Sequence, residues 1–332
     1  MSRVRVSTGA RLHFGFLNLS LAHQRLYGGL GVGLDEPRTV VAAEPADGVD
    51  CADPEARRYA ERAVDLLGVP GAAVAVESSL PRHVGLGSGT QFALAVYAAV
   101  ARAHDRDPSV RSAAPRLGRG GRSGIGVGTF ERGGVLVDAG HPTARFTTDR
   151  PADGEWTVPA VAVRHAVPDE WRFLLVVPDA DPGRSGEEED EGMRAVVERA
   201  DPDVADRISG VLSRRFLPAV ADGSAARFGE AVSEIGRLNG AWYADEQGGV
   251  YRPPVGELVA ALEDTPACYG AGQSSWGPAV YAVTDAAHAD EAREAGAAAL
   301  DSAGVGGDVR VVGGRNVGAD VSERAETSQR NG

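Results

Sequence analysis

Residues 81–91 read Pro-Arg-His-Val-Gly-Leu-Gly-Ser-Gly-Thr-Gln and run directly into 92–104, a segment apolar around nearly its whole circumference. The second part predicts a helix buried on almost every side. The first predicts a loop in which Gly85, Gly87 and Gly89 turn the backbone tightly and let a ligand approach it closely. Ser88 or Thr90 can cap the helix. The free N–H groups and the positive helix end then make an anion site suited to phosphate or pyrophosphate. The loop is neither a Walker A motif, since the Gly-Lys-Ser/Thr ending is absent, nor a Gly-x-Gly-x-x-Gly fingerprint. A flexible turn capping a buried helix is the other reading of the same residues.

Elsewhere Val4 and Val6 alternate with Arg3 and Arg5, a strand signal. A glycine-rich turn is expected at 27–33 and a strand at 38–43. Residues 54–67 form a helix with Pro near its start and Gly68 just past its end. Residues 73–77 and 134–138 read as strands. The stretch 149–169, rich in Pro, Asp and Gly, marks a domain boundary. The second half opens with a strand at 172–177. The acids 187–191 start a helix, and helical patterns cover 193–220, 225–243 and 257–262. A strand at 279–283, an Ala-rich helix at 286–303 and a strand at 309–312 complete the pattern; from Val321 a polar, disordered tail is expected. Strands and helices alternate without the even rhythm of a barrel, so the fold class is α+β.

Composition narrows the function. The 332 residues suggest about two domains. Asp plus Glu is 47, Lys plus Arg is 34, and the net charge is −13. Lysine is absent, so any chemistry that needs a lysine base or clamp is excluded. An acidic surface repels phosphate backbones and argues against nucleic-acid binding. Excess carboxylate without lysine reads as adaptation to a high-salt cytoplasm; Arg-favouring codons would explain the missing lysine, but less readily the acidity. Nothing resembles a membrane span or a signal peptide, so a soluble cytoplasmic protein is expected. Cys51 and Cys268 are too few for a disulfide framework.

Two further constellations carry polar chemistry. Residues 269–278, Tyr-Gly-Ala-Gly-Gln-Ser-Ser-Trp-Gly-Pro, combine the small Gly270 and Gly272 with hydrogen-bonding Gln273, Ser274 and Ser275. They read either as a binding edge for an anion or polar substrate or as a tight turn. In 7–16, Arg11 and His13 share one face of an extended segment. Arg25, beside the glycine-rich turn, is a candidate fork for a carboxylate or phosphate. A solvated Arg and a core His are the alternatives.

Together these residues resemble the GHMP kinase superfamily. Pro81-x-x-x-Gly85-Leu86-Gly87-Ser88-Gly89 is similar to its phosphate loop, and Gly270-Ala271-Gly272 to its third motif. Thr90-Gln91, 121–126, 130–134 and Gln273-Ser274-Ser275-Trp276-Gly277-Pro278 resemble one branch, the archaeal beta-ribofuranosylaminobenzene 5'-phosphate synthases. The resemblance spans about residues 4–314. It implies a two-domain fold: an N-terminal phosphate-loop domain (1–155), a C-terminal ferredoxin-like domain (156–320), a tail (321–332) and a cleft between the domains.

The activity implied is the condensation of phosphoribosyl pyrophosphate with 4-aminobenzoate or 4-hydroxybenzoate, with loss of carbon dioxide and pyrophosphate, in methanopterin biosynthesis. Gly85, Leu86, Gly87, Ser88, Gly89, Thr90 and Gln91 would bind the phosphates with magnesium or another divalent cation. Arg11 or Arg25 would fork the carboxylate, His13 would lie near the site, and His83 would flank the loop. Gly270, Gly272, Gln273, Ser274 and Ser275 would contact substrate. Asp35, Glu131 and Asp138 are the candidate metal acids. Homodimers occur in such families. An ATP-dependent small-molecule kinase and a non-catalytic phosphate-binding protein are the alternative functions, and the Gln-Ser-Ser-Trp-Gly-Pro run favours the synthase.

Overall fold

The computed structural model describes residues 3–181 and 187–324. The first part is a sheet built on two long strands, β1 (Arg3–Asn18) and β2 (Arg25–Pro45). Strands β3 (Gly48–Asp50) and β4 (Gly71–Ser78) extend it past β2, in the order β1-β2-β4-β3. Helices α1 (Pro54–Leu67), α2 (Ser88–Ala103), α3 (Val110–Ala113) and α4 (Ile125–Arg132) accompany this sheet. Strand β5 (Val135–Asp138) pairs with the first half of β2, as does β6 (His141–Pro142), and β7 (Val161–His165) pairs with β5.

The second part begins with β8 (Trp171–Pro178). Helices α5 (Glu187–Arg199), α6 (Pro202–Val211), α7 (Leu217–Ala221), α8 (Ala225–Gln247) and α9 (Val255–Glu263) follow. Strands β9 (Gly270–Gln273) and β10 (Val280–Asp285), helix α10 (Ala289–Ala303) and strand β11 (Gly307–Gly313) complete it. The sheet order β11-β8-β10-β9 is antiparallel throughout. With α8 and α10 as crossovers this is the βαββαβ ferredoxin-like arrangement. Strand β12 (Asp320–Arg324) then returns to the first sheet and pairs with β1.

Local chemistry explains several elements. Asp53 accepts from the Ala56 N–H at 2.8 Å, Pro54 opens α1, and Gly68 closes it in the left-handed conformation. The all-round apolar helix expected at 92–104 is α2, which is buried between α1, α4 and the sheet. The two halves share one core. The Phe14 ring meets Phe228 at 5.6 Å and Tyr281 at 5.1 Å, so β1 is bolted to α8 and β10. Each such buried ring contributes about 2–3 kcal/mol and holds the neighbouring residues of β1 against the second domain.

Three expectations need correction. Residues 27–33 are strand, not turn, because β2 passes close to α4: a Cβ on Gly29 would lie 2.7 Å from Ile125 Cγ1, and one on Gly31 2.5 Å from Ile125 Cγ2. The first sheet does not end at 155, since β7 still belongs to it. The tail does not begin at Val321. Asp320, paired with Arg38 and Arg315 at 2.7 Å, anchors β12 through Arg324. Residues 325–332 lie outside the described residues.

Candidate active site

The three constellations converge on the middle of β1. Register breaks between Gly9 and Arg11 and between His13 and Gly15 set this short run apart from the regular ladder. Arg11 donates its backbone N–H to Leu86 at 3.1 Å and its Nη1 to the Gly85 carbonyl at 2.7 Å. The His13 N–H reaches Ser274 Oγ at 3.2 Å, and Ser274 Oγ donates to the same Gly85 carbonyl at 2.8 Å. A Cβ on Gly85 would collide with the Ser274 carbonyl, and one on Gly277 with the backbone of Val84. The loop at 81–91 and the turn at 274–278 are therefore one interlocked unit.

That unit presents the start of α2. Gly87, left-handed at φ 80°, is the N-cap, and no side chain caps the helix; neither Ser88 nor Thr90 does so. The first-turn N–H groups at Ser88 and Gly89 are left for a ligand. The Arg119 guanidinium lies beside Gly89, 3.1 Å from where a Gly89 Cβ would stand. Its Nη2 also donates to the Tyr59 hydroxyl.

A cleft of about 410 Å³ opens here, and Arg11, Arg58, Arg62, Arg119, Arg122 and Arg150 all line it. The acids Asp153, Glu189 and Asp190 share the lining. On a chain of net charge −13 this concentration of guanidinium is a local inversion of sign. Arg122 bridges Glu189 at 2.6 Å and also Asp190, both on α5, so the ion pairs cross from one domain to the other. Burial alone would lower the Arg122 pKa, but Glu189, Tyr27 and Asp190 raise it. Arg11 is pushed down to about 10 by burial and remains charged at neutral pH.

At the same wall, His13 Nε2 lies 3.1 Å from Ser123 Oγ, which donates to Asp138 Oδ2 at 3.1 Å. Gly124 N–H meets Asp138 Oδ2 at 2.8 Å and Gly140 N–H meets Oδ1 at 2.9 Å. Burial raises the Asp138 pKa against these donors. Burial, with Arg11 beside it, pushes His13 down to about 3, so the imidazole is neutral.

The remaining candidates divide clearly. Thr90 and Ser275 line the cleft. Leu86 is packed in the core. Gln91 is fully buried, accepting from Thr8 Oγ1 at 2.6 Å and donating to the Gly126 carbonyl at 2.8 Å, so it ties α2 to β1 and α4 and faces no ligand. Ser274 is buried in the interlock already described. The Gln273 amide is spent on the backbones of Arg252 and Ser275. Gly270 and Gly272 are glycines for packing: their Cβ positions are taken by Gly229 and by the Tyr281 ring. Arg25 does not line the cleft; its guanidinium donates to the carbonyls of Ala139 and, at 2.7 Å, Gly140. His83 is exposed in the loop at φ 57°.

The three candidate metal acids are not brought together. Asp35 accepts from Gly313 N–H, Glu131 is paired with Arg111 at 2.6 Å, and Asp138 is sealed by its donors. Among the described residues, no group of three His, Cys, Asp or Glu side chains could hold an ion. The sequence reading missed Arg58, Arg62, Arg119, Arg122 and Arg150. A signal existed for some of them: Arg58 and Arg62 are one helical turn apart, and Arg119 and Arg122 punctuate the glycine run 118–124.

Comparison with known proteins agrees with this geometry. Residues 56–134 match the GHMP kinases N terminal domain, and residues 216–302 match GHMP kinases C terminal. Beta-ribofuranosylphenol 5'-phosphate synthase of Methanothermobacter thermautotrophicus is 34% identical over 95% of this chain and 97% of its own. The protein of the same name from Archaeoglobus fulgidus is 33% identical over 85% of this chain and 88% of its own. Among solved structures, homoserine kinase from Cytophaga hutchinsonii aligns with a TM-score of 0.64 at 17% identity, over 96% of this chain and 97% of that one. That likeness speaks for the fold alone.

Proposed function

We propose that this chain, which belongs to the beta-ribofuranosylphenol 5'-phosphate synthase family on the GHMP kinase fold, transfers a 5-phosphoribosyl group from phosphoribosyl pyrophosphate to 4-hydroxybenzoate or 4-aminobenzoate, releasing pyrophosphate and carbon dioxide in methanopterin-type cofactor biosynthesis. The observation that carries the reading is the arginine-lined cleft set on the uncapped end of α2. Such a site suits a substrate with phosphate at both ends, because fixed guanidinium groups and backbone N–H groups need no reorganisation as charge develops on the leaving group.

The bond from the anomeric carbon to the pyrophosphate oxygen breaks, and the oxygen keeps the electron pair. Arg11, Arg119 and the first N–H groups of α2 neutralise that oxygen's charge. The ring carbon bearing the carboxylate attacks the anomeric carbon, driven by electron donation from the para hydroxyl or amine. The bond to the carboxylate then breaks, and its electron pair restores the aromatic ring. No protein nucleophile is required. The arginines also orient the acceptor's carboxylate until it leaves. Asp35, Glu131 and Asp138 do not fit a metal cage, so magnesium is assigned no protein ligands: it would enter as the counter-ion of the pyrophosphate.

The test is release of labelled carbon dioxide from carboxyl-labelled 4-hydroxybenzoate and 4-aminobenzoate with phosphoribosyl pyrophosphate and magnesium. Molar potassium chloride is included because we read the lysine-free acidic surface as salt-adapted. Release without ATP, lost in Arg119→Ala, supports the synthase. ATP consumption without carbon dioxide would support a small-molecule kinase, and saturable binding without turnover a non-catalytic protein.

A further inference from the structure

We infer that His13, held in one tautomer by Ser123 and Asp138, is the hydrogen-bond acceptor that recognises the donor group para to the acceptor's carboxylate. This rests on the synthase reading above and names a specificity residue within it.

Hydrogen-bond capacity fixes the tautomer. A serine hydroxyl has one hydrogen and two lone pairs. The neighbours of Asp138 are donors, which suits a carboxylate, and Ser123 must give it its only hydrogen. The Ile125 N–H takes one Ser123 lone pair at 3.2 Å. The contact from His13 Nε2 at 3.1 Å therefore falls on the other, and Nε2 must carry the ring's hydrogen. Nδ1 is then a bare lone pair, the tautomer being set by the partner of the opposite nitrogen. Among the described residues nothing hydrogen-bonds Nδ1.

The position of that lone pair selects its ligand. His13, Phe16 and Ser275 line both the arginine cleft and an adjoining cavity walled by Tyr243, Tyr251 and Trp276. That adjoining cavity, of about 40 Å³, is too small for an aromatic ring, so a flat ring lies in the arginine cleft against Phe16, with His13 on its wall. The arginines are donors only and match the acceptor's carboxylate. The para hydroxyl or amine brings a hydrogen, which arginine cannot accept. His13 Nδ1 can, and accepting it strengthens electron release into the ring. During attack the substituent's proton can shift to Nδ1 and return once carbon dioxide has left, so no proton is gained or lost overall.

The test is nitrogen-15 NMR of full-length protein with labelled histidine, His13 being assigned through His13→Asn. Protonation on Nε2, with the Nδ1 resonance moved by 4-hydroxybenzoate and not by 4-fluorobenzoate, is expected. Wild type should bind the hydroxy acid at least about 10-fold more tightly than the fluoro acid, Ser123→Ala should bring the two within about 2-fold, and Ser123→Thr should restore the preference. A hydrogen on Nδ1, equal shifts with both acids, or an unchanged preference in folded Ser123→Ala would overturn the assignment. Failure of the synthase reading is seen separately, as wild type that releases no carbon dioxide. The NMR result still decides the role of His13 in that case.

Discussion

Arg11 donates from Nη1 to the Gly85 carbonyl at 2.7 Å, and its stem lies against Gly87, where a Cβ would come 2.8 Å from Arg11 Cγ. The guanidinium and the loop at 85–89 therefore hold each other's shape. Arg11→Lys keeps the charge but loses the planar fork. Its kcat/KM for the phosphoribosyl donor is expected to fall about 10- to 100-fold, the worth of one charged hydrogen bond. Gly87→Asp, strained at φ 80° and pushed into Arg11, should abolish turnover in a chain that still folds. Unchanged kinetics in Arg11→Lys would remove it from the site.

Arg119 and Arg122 differ in what already occupies them. Arg119 lies beside Gly89 at the start of α2, whereas Arg122 is matched by Glu189 and Asp190 from the other domain. Opposite signs follow. Arg119→Ala should weaken inhibition by pyrophosphate about 10- to 100-fold. The double change Glu189→Gln, Asp190→Asn frees Arg122 and should tighten it, with the gain shrinking as salt is raised. Inhibition constants that move in the same direction for both proteins would contradict this assignment of charges.

Gln91 sits in the middle of the loop-and-helix motif yet belongs to the core. Gln91→Leu leaves the buried Thr8 hydroxyl without its acceptor, while the Gly126 carbonyl keeps the Thr129 hydroxyl as donor. A loss of about 1–3 kcal/mol is expected. Urea unfolding should register it, while KM for both substrates in the folded fraction stays within about 2-fold. A large KM effect with unchanged stability would return Gln91 to the binding site.

What the sequence made legible follows from the range of each force. The glycine-rich loop before α2, α1 and the buried α2 are local: apolar runs, caps and glycines declare themselves over a few residues. The 27–33 segment misled because glycine signals a turn or a close approach equally well, and Ile125, nearly a hundred positions away, decides which. Arg25 sat beside a suggestive motif, but its donors are claimed by carbonyls of the turn after β5. Asp35, Glu131 and Asp138 show the same limit, since an acid's partner is a matter of tertiary geometry. The arginines of the cleft come from β1, α1, the 118–124 run and residue 150, and only folding gathers them.

Two buried histidines, His13 and His141, set an expected acid limit. Burial, with Arg11 adding to it, pushes His13 down to about 3, and burial lowers His141 to about 4. The unfolded values lie near 6.5. Between those limits the unfolded chain binds more protons, so stability rises with pH through the window. The contribution is complete above about pH 6.5 and is lost as pH falls toward the folded values. At pH 5 the loss is about 2 kcal/mol per histidine, because the unfolded imidazole is by then almost wholly protonated while the folded one stays neutral. Asp138, raised by burial, works in the opposite direction just above its unfolded value and trims the total. His141 stacks on Phe146 at 3.7 Å and hydrogen-bonds the Gly120 backbone; phenylalanine keeps the stack and loses that hydrogen bond at both pH values, so the pH difference still isolates the titration. Urea unfolding at pH 7.5 and pH 5.0 should show wild type losing more stability than His141→Phe by about 2 kcal/mol. Equal losses in the two proteins would mean that His141 is not held neutral by the fold, and the acid limit would then have to come from His13 alone.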